Sequence, residues 1–258
     1  MSPLPMIEKL VRRVASRVGY EVRRREPPKA PPDLEPAFLA MYDACRPYTR
    51  TSIERMYALY QAMSYLARAR VPGAFVECGV WRGGSAMIAA LAQAASGDTG
   101  RELWLYDTYE GMSAPGEHDR DWRGLAAAEL MEKSKDQKET SVWCYSSLDE
   151  VRANMARTGY PAERLHFVQG KVEDTVPAQA PERIALLRLD TDFYESTRHE
   201  LEHLYPRLAP GGVLIIDDYG HWAGARKAAD EYLAKLPRPL LLQRIDYTGR
   251  LAIVGAPA

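Results

Sequence analysis

Ile184-Ala185-Leu186-Leu187-Arg188-Leu189-Asp190-Thr191-Asp192 is an apolar run that ends in a pair of acids, and the reading of the whole chain turns on it. Its length and continuous apolar character fit a strand buried on both faces of a parallel sheet. A second run, Gly211-Gly212-Val213-Leu214-Ile215-Ile216-Asp217-Asp218-Tyr219, repeats the pattern. Ligands of open α/β sheets bind outside the carboxyl ends of the strands. Asp190, Asp192, Asp217 and Asp218 are therefore expected at one rim. Carboxylates this close repel unless protonated, hydrogen-bonded or bound to a metal. An all-oxygen site suits a hard cation, Mg²⁺ before Zn²⁺. The alternative is that Asp217-Asp218 simply caps the next helix. Arg188, the nearest cation in sequence, sits inside its run, before the rim.

Outward from these runs, further apolar strand candidates lie at 74–79, 103–107 and 165–169, with 184–190 and 212–217 completing the set. The segments between them are able to form helices. This alternation indicates βαβ units and a mostly parallel sheet. Leu240–Ile245 and Arg250–Val254, joined by Asp246-Tyr247-Thr248-Gly249, read as a C-terminal antiparallel hairpin. Upstream, Ile53, Met56, Leu59, Tyr60, Met63 and Leu66 are spaced for the buried face of one helix, which Pro72-Gly73 ends.

The N-terminal 47 residues differ in character. Residues 6–25 form an amphipathic pattern, with Met6, Ile7, Leu10, Val11, Val14 and Val18 on one side and arginines following. Such a helix is able to rest on an anionic membrane surface, although packing on its own domain or on a subunit partner is the commoner use. Pro27, Pro28, Pro31, Pro32 and Pro36 make a stiff connector. The expected organisation is thus an N-terminal extension over 1–47 and an α/β domain over 48–258. An extended arm of this kind suits a homo-oligomer.

The stretch Ala74-Phe75-Val76-Glu77-Cys78-Gly79-Val80-Trp81-Arg82-Gly83-Gly84-Ser85 runs from strand through a glycine-rich turn into a helix. Glycines let a ligand approach the backbone, and the helix start offers free amides. The spacing is not the G-x-G-x-x-G dinucleotide fingerprint, and Glu77 would repel a pyrophosphate. It suits a cationic ligand such as S-adenosylmethionine, unless the segment is a plain turn with Glu77 exposed. Asp107, at the end of the next strand, is placed to accept ribose hydroxyls or to start a turn.

Composition narrows the classes. A chain of 258 residues with 46% hydrophobic content is able to bury a substantial core. A formal net charge of −1 gives no reason to expect nucleic acid as a partner. Cys45, Cys78 and Cys144 are too few and scattered for a disulfide framework and fit a reducing, cytoplasmic setting. None of the five histidines has a partner at a recognisable metal or triad spacing. His199 and His203 lack the H-E-x-x-H pattern, and His221 follows the acids as either a substrate neighbour or a loop residue. The polar region from Gly116 to Lys138 reads as a lid or as an exposed helix and loop.

Taken in order, Val71-Pro72-Gly73 through Ser85, Asp107-Thr108-Tyr109-Glu110-Gly111, Leu189-Asp190-Thr191-Asp192 and Ile216-Asp217-Asp218-Tyr219 resemble the macrocin O-methyltransferase family. The resemblance covers roughly residues 48–254. It implies a class I methyltransferase fold of the Rossmann-like type, S-adenosylmethionine and a divalent metal, usually Mg²⁺. It implies Asp190, Asp217 and Asp218 as metal ligands and Asp192 as general base. Glu77, Gly79, Asp107 and Gly111, with Ser147 and Lys171, fall in its cofactor-contacting segments. The implied substrate is a sugar hydroxyl of a glycosylated natural product or a polysaccharide precursor. A catechol or other small phenol would satisfy the same metal chemistry, and a membrane-docked, non-catalytic scaffold is the reading outside catalysis.

Overall fold

The computed structural model describes residues 14–19, 31–137 and 141–255. The chain divides into two compact units, Met1–Glu35 and Pro36–Ala258. In the first, residues 14–17 are helical and Val14 and Val18 are exposed. The rest of the amphipathic segment expected over 6–25, together with Pro27 and Pro28 of the connector, lies outside the described residues.

Pro36 does not prolong the connector. It is the first residue of helix α1 (Pro36–Cys45), a position where its missing N–H leaves no bond unmade. Phe38 of α1 is fully buried, with its ring 4.9 Å from Tyr57 and 5.4 Å from Tyr60 on helix α2 (Ile53–Arg68). These aromatic contacts pack α1 into the larger unit, of which it is the first element.

Among the described residues seven strands form one sheet: β1 (Ala74–Cys78), β2 (Leu103–Asp107), β3 (Leu165–Gln169), β4 (Ile184–Leu189), β5 (Leu208–Ile216), β6 (Gln243–Arg244) and β7 (Arg250–Ile253). The order is β3-β2-β1-β4-β5-β7-β6. The first five strands are parallel, and β7 runs antiparallel to β5 and β6. Every residue of β1 and β4 is buried, as a strand covered on both faces requires. Helix α3 (Gly84–Ala95) packs against α2, and α7 (Tyr194–His203) packs against α8 (Ala223–Leu233). Among the described residues no helix is long and apolar enough to cross a membrane.

Two strand limits differ from the sequence reading. Strand β5 starts at Leu208 rather than at 212. Ile184 pairs with Leu208 and Leu186 with Val213, so the residues between are taken up by an irregularity where Gly211 adopts φ 78°. Strand β6 has two residues instead of six. Leu240 and Leu242 pack on the core, while Leu241 is exposed, without extending the ladder. Pro237 and Pro239 just before them lack the donors that a longer strand needs.

Candidate active site

The strand order reverses between β1, which leads to β2, and β4, which leads to β5. Ligands of doubly wound sheets bind at such a switch point, beyond the carboxyl ends of the strands. A cavity of about 330 Å³ opens there. Its walls include Gly79 and Val80 after β1, Asp107 after β2, Lys171 after β3, and the aspartates after β4 and β5.

Asp190, Asp192 and Asp218 each offer a carboxylate oxygen, and these atoms lie within 4.8 Å of one another. The Asp192 and Asp218 carboxyls approach each other closely at this rim. The Trp222 side chain hydrogen-bonds Asp192 from the start of α8. Asp192 itself has φ 67°, a left-handed backbone that turns its side chain back over the rim. Burial, reinforced by the charges of Asp190 and Asp217, pushes Asp192 up to about 7. Burial and the adjacent Asp192 and Asp217 push Asp218 well above the usual carboxylate range.

Asp217 is engaged differently. Its Oδ1 accepts from Arg188 Nη2 at 2.6 Å, and its Oδ2 accepts from Arg55 of α2. Arg188 is 1% exposed, an extreme for a guanidinium. Its Nη1 donates to Glu77 Oε1 at 2.7 Å and to Asp190 Oδ2 at 2.6 Å, and its Nη2 also reaches Thr51 Oγ1 at 3.2 Å. One buried cation thus ties β1, β4 and β5 together. The structure therefore brings Asp190, Asp192 and Asp218 to the cavity as a trio and holds Asp217 beside them through two arginines.

Arg55 and Arg188 are the functional side chains that sequence reasoning missed. Arg188 carried a signal, since a charge inside a fully apolar strand needs a buried partner. Arg55 carried none: its partner is 162 residues away. Its place is set locally by Ser52, which caps α2 by accepting from Arg55 N at 3.2 Å and donates to Asp246 Oδ2 at 2.7 Å. Arg55 Nε meets the same Asp246 oxygen at 3.0 Å. Burial opposes the charge on Asp246. The Gly249 amide, Ser52, the Thr248 amide and Arg55 outweigh it and hold Asp246 below the usual range.

On the other side of the cavity, Gly79 has φ 84°, and a Cβ there would collide with the Asp190 carbonyl. The turn after β1 thus sits directly against the acid rim. Asp107 organises that turn. Its Oδ2 accepts from the amides of Val80 at 2.7 Å and Trp81 at 3.0 Å, and its Oδ1 from that of Tyr109 at 2.8 Å. Gly111 and Lys171 also line the cavity. Glu77 lies beneath it, fully buried on Arg188 and Ser85. Ser147 caps helix α5 (Leu148–Ala156), accepting from Glu150 N, and is outside the lining. His221 lines the cavity with its Nδ1 3.0 Å from Tyr247 Oη.

Of the stretch from Gly116 to Lys138, the described residues 116–137 contribute more than an exposed surface. Asp119 accepts from the amides of Gly116 at 2.6 Å and Tyr194 at 2.8 Å. Helix α4 (Ala127–Lys133) buries Ala127 and Met131 against Phe193 and Trp222, beside Asp192. The segment packs behind Trp222, which itself lines the cavity.

Three buried polar atoms on lining residues have no hydrogen-bond partner among the described residues: Trp81 Nε1, Glu173 Oε2 and Asp218 Oδ2. Buried polar groups are nearly always satisfied, so the cavity is built for a polar ligand. Gathered carboxylates with an unsatisfied oxygen fit a hard divalent cation.

A parallel sheet of this order with an antiparallel β7, a glycine turn after β1 and an acidic rim define a class I, Rossmann-like methyltransferase. The chain matches the family described as "Macrocin-O-methyltransferase (TylF)" over residues 41–251, and it belongs to that family. It is 35% identical over 218 residues to the 8-demethyl-8-(2,3-dimethoxy-alpha-L-rhamnosyl)-tetracenomycin-C 4'-O-methyltransferase of Streptomyces olivaceus, covering 84% of this chain and 80% of the relative. It is 33% identical over 202 residues to the demethyldecarbamoylnovobiocin O-methyltransferase of Streptomyces niveus, covering 78% and 74%. The solved structure of the O-methyltransferase NovP superposes with a TM-score of 0.70 at 30% identity, covering 81% of this chain and 83% of that one.

Proposed function

We propose that this chain transfers the methyl group of S-adenosylmethionine to a hydroxyl on the sugar of a glycoside, with a divalent cation, Mg²⁺ by preference, at the acid rim. The observation that carries the reading is the carboxylate trio Asp190, Asp192 and Asp218 facing the glycine turn of β1 across one cavity. The rhamnosyl group in the name of the Streptomyces olivaceus relative supports a sugar as the acceptor. The free thiols of Cys45, Cys78 and Cys144 are in keeping with a reducing, cytoplasmic setting.

The cofactor would lie over Gly79, Val80 and Asp107, with Gly111 and Lys171 along its edge, and it supplies the methyl group. The cation would be held by Asp190 and Asp218, with Asp217 as third ligand as the family resemblance implies, and it supplies Lewis acidity toward the sugar hydroxyl. A sugar hydroxyl is a poor nucleophile while protonated. Asp192 takes that proton: its oxygen lies among the rim carboxylates, Trp222 orients it, and a value near 7 suits a general base at neutral pH. Arg188 and Arg55 offset the charge of Glu77, Asp190 and Asp217, so the rim stays compact before any ligand arrives. Trp222, backed by α4, covers part of the acid side.

Isothermal titration of Mg²⁺ into Asp192→Asn and Asp217→Asn separates the roles. Asp192→Asn should keep cation affinity while kcat falls by about 10²–10⁴. Asp217→Asn should lose cation affinity. The reverse pattern would exchange their roles, and full turnover in excess chelator would remove the cation altogether.

A further inference from the structure

A second concavity lies at the opposite end of the sheet. A cleft of about 690 Å³ opens at the amino ends of β1, β2 and β4, and it shares no lining residue with the active-site cavity. Arg101 lines it at 9% exposure. The Arg101 guanidinium donates to Gln93 Oε1 at 3.2 Å, to the Gly73 carbonyl, and to the Val71 carbonyl at 3.1 Å. All three acceptors are neutral, so a buried cation sits here without a carboxylate as hydrogen-bond partner among the described residues. Burial works against its charge and lowers its proton affinity, with Asp98 opposing.

Three more arginines line the cleft. Arg70 and Arg183 are exposed, and their side chains make no hydrogen bond or ion pair among the described residues. Arg164 comes no nearer than 3.9 Å to Glu102. The acids of the cleft are largely spent elsewhere. Asp98 accepts from Gln93 Nε2 and the Gly100 amide, each at 2.8 Å. Glu102 accepts from Trp104 Nε1 at 3.3 Å and lies 3.8 Å from His166 Nε2. Only Glu182, which is exposed, is left among the lining acids to answer Arg70, Arg101 and Arg183.

We propose that this cleft binds a phosphate-bearing anion, with Arg101 at its floor and Arg70, Arg164 and Arg183 around it. The planar fork of a guanidinium matches phosphate oxygens two at a time. A phosphate also supplies the negative charge that the buried Arg101 lacks. Strand β1, five residues and so about 16 Å long, separates the cleft from the acid rim. The anion is therefore an effector and not part of the methyl acceptor. Its source is free phosphate or the phosphate tail of a nucleotide.

The test is isothermal titration of inorganic pyrophosphate, and separately of uridine diphosphate, into wild type and into the double variant Arg70→Ser, Arg183→Ser. Chelator keeps metal from the acid rim, and ionic strength is held constant. Wild type should show saturable binding, and the double variant should bind about ten-fold or more weakly, as loss of hydrogen bonds to a charged group implies. Both altered residues are exposed, so an unchanged urea midpoint will show that the fold is intact. In wild type, pyrophosphate should also raise Tm where sodium chloride of equal ionic strength does not. Tighter binding of uridine diphosphate would identify a nucleotide, and equal binding a free phosphate; either supports the site. Absence of saturable binding to wild type, or equal affinity in the double variant, overturns it.

Discussion

Arg188 shows how one residue can hold a site together and also make it vulnerable. A guanidinium at 1% exposure is stable only if all its partners are present. Here they are Glu77, Asp190 and Asp217. Its neutral replacement leaves buried carboxylates without a counter-charge, a loss of about 3–5 kcal/mol for one broken buried pair. Arg188→Leu should therefore lower the midpoint of urea denaturation sharply in metal-free protein, and added Mg²⁺ should recover part of the loss. An unchanged midpoint would mean that the acids carry protons rather than opposing charge. At this scale the sequence was legible for the four aspartates and largely silent on their sorting. The run ending at Asp190 and Asp192 placed two acids at the rim. Nothing in it said that Asp217 would face two arginines while its neighbour Asp218 faces Asp192, because adjacent strand-end residues diverge according to what packs behind them.

At the scale of elements, the parallel strands were legible because each is a short apolar run closed by a turn, and β1 to β4 fall where periodicity put them. The hairpin was harder, since Leu240–Leu242 satisfy the same hydrophobic pattern by packing without pairing. Helix α1 was hidden by Pro36, which marks both connectors and helix starts. Its contribution is testable: Phe38 is fully buried against Tyr57 and Tyr60. Phe38→Ala should cost about 3–5 kcal/mol, as large-to-small core changes do, measured by chemical denaturation. A loss below about 1 kcal/mol would make α1 an ornament of the fold rather than part of its core. Helix α2 has a double role, since its buried face packs with α1 and α3 while Ser52 and Arg55 reach the acid rim.

At the scale of the whole molecule, the acid rim makes stability depend on pH, and on a cation if the proposed site binds one. Asp192 titrates near 7 in the fold, well above an ordinary carboxylate. Between those values the folded state keeps a proton that the unfolded chain has released. This contribution is complete below about pH 4 and is lost as pH rises through about 7. A divalent cation at the proposed site would take over from the proton on the upper side of that window. The rise in Tm on adding Mg²⁺ should therefore be larger at about pH 8 than at about pH 5.5. Equal shifts at both values would show that the cation and the Asp192 proton do not compete.

The clasp between the start of α2 and the turn before β7 has a consequence for how the protein is made. Ser52 and Arg55 meet Asp246, and Thr248 Oγ1 donates to the Asp217 carbonyl at 2.8 Å. These partners are up to 194 residues apart. A ribosome must therefore release nearly the entire domain before Arg55 has the turn that helps to aim it at the rim. Until then the nascent chain carries a cluster of acids without their full set of neighbours, so completion of the acid rim belongs to the last stage of maturation and not to its nucleus.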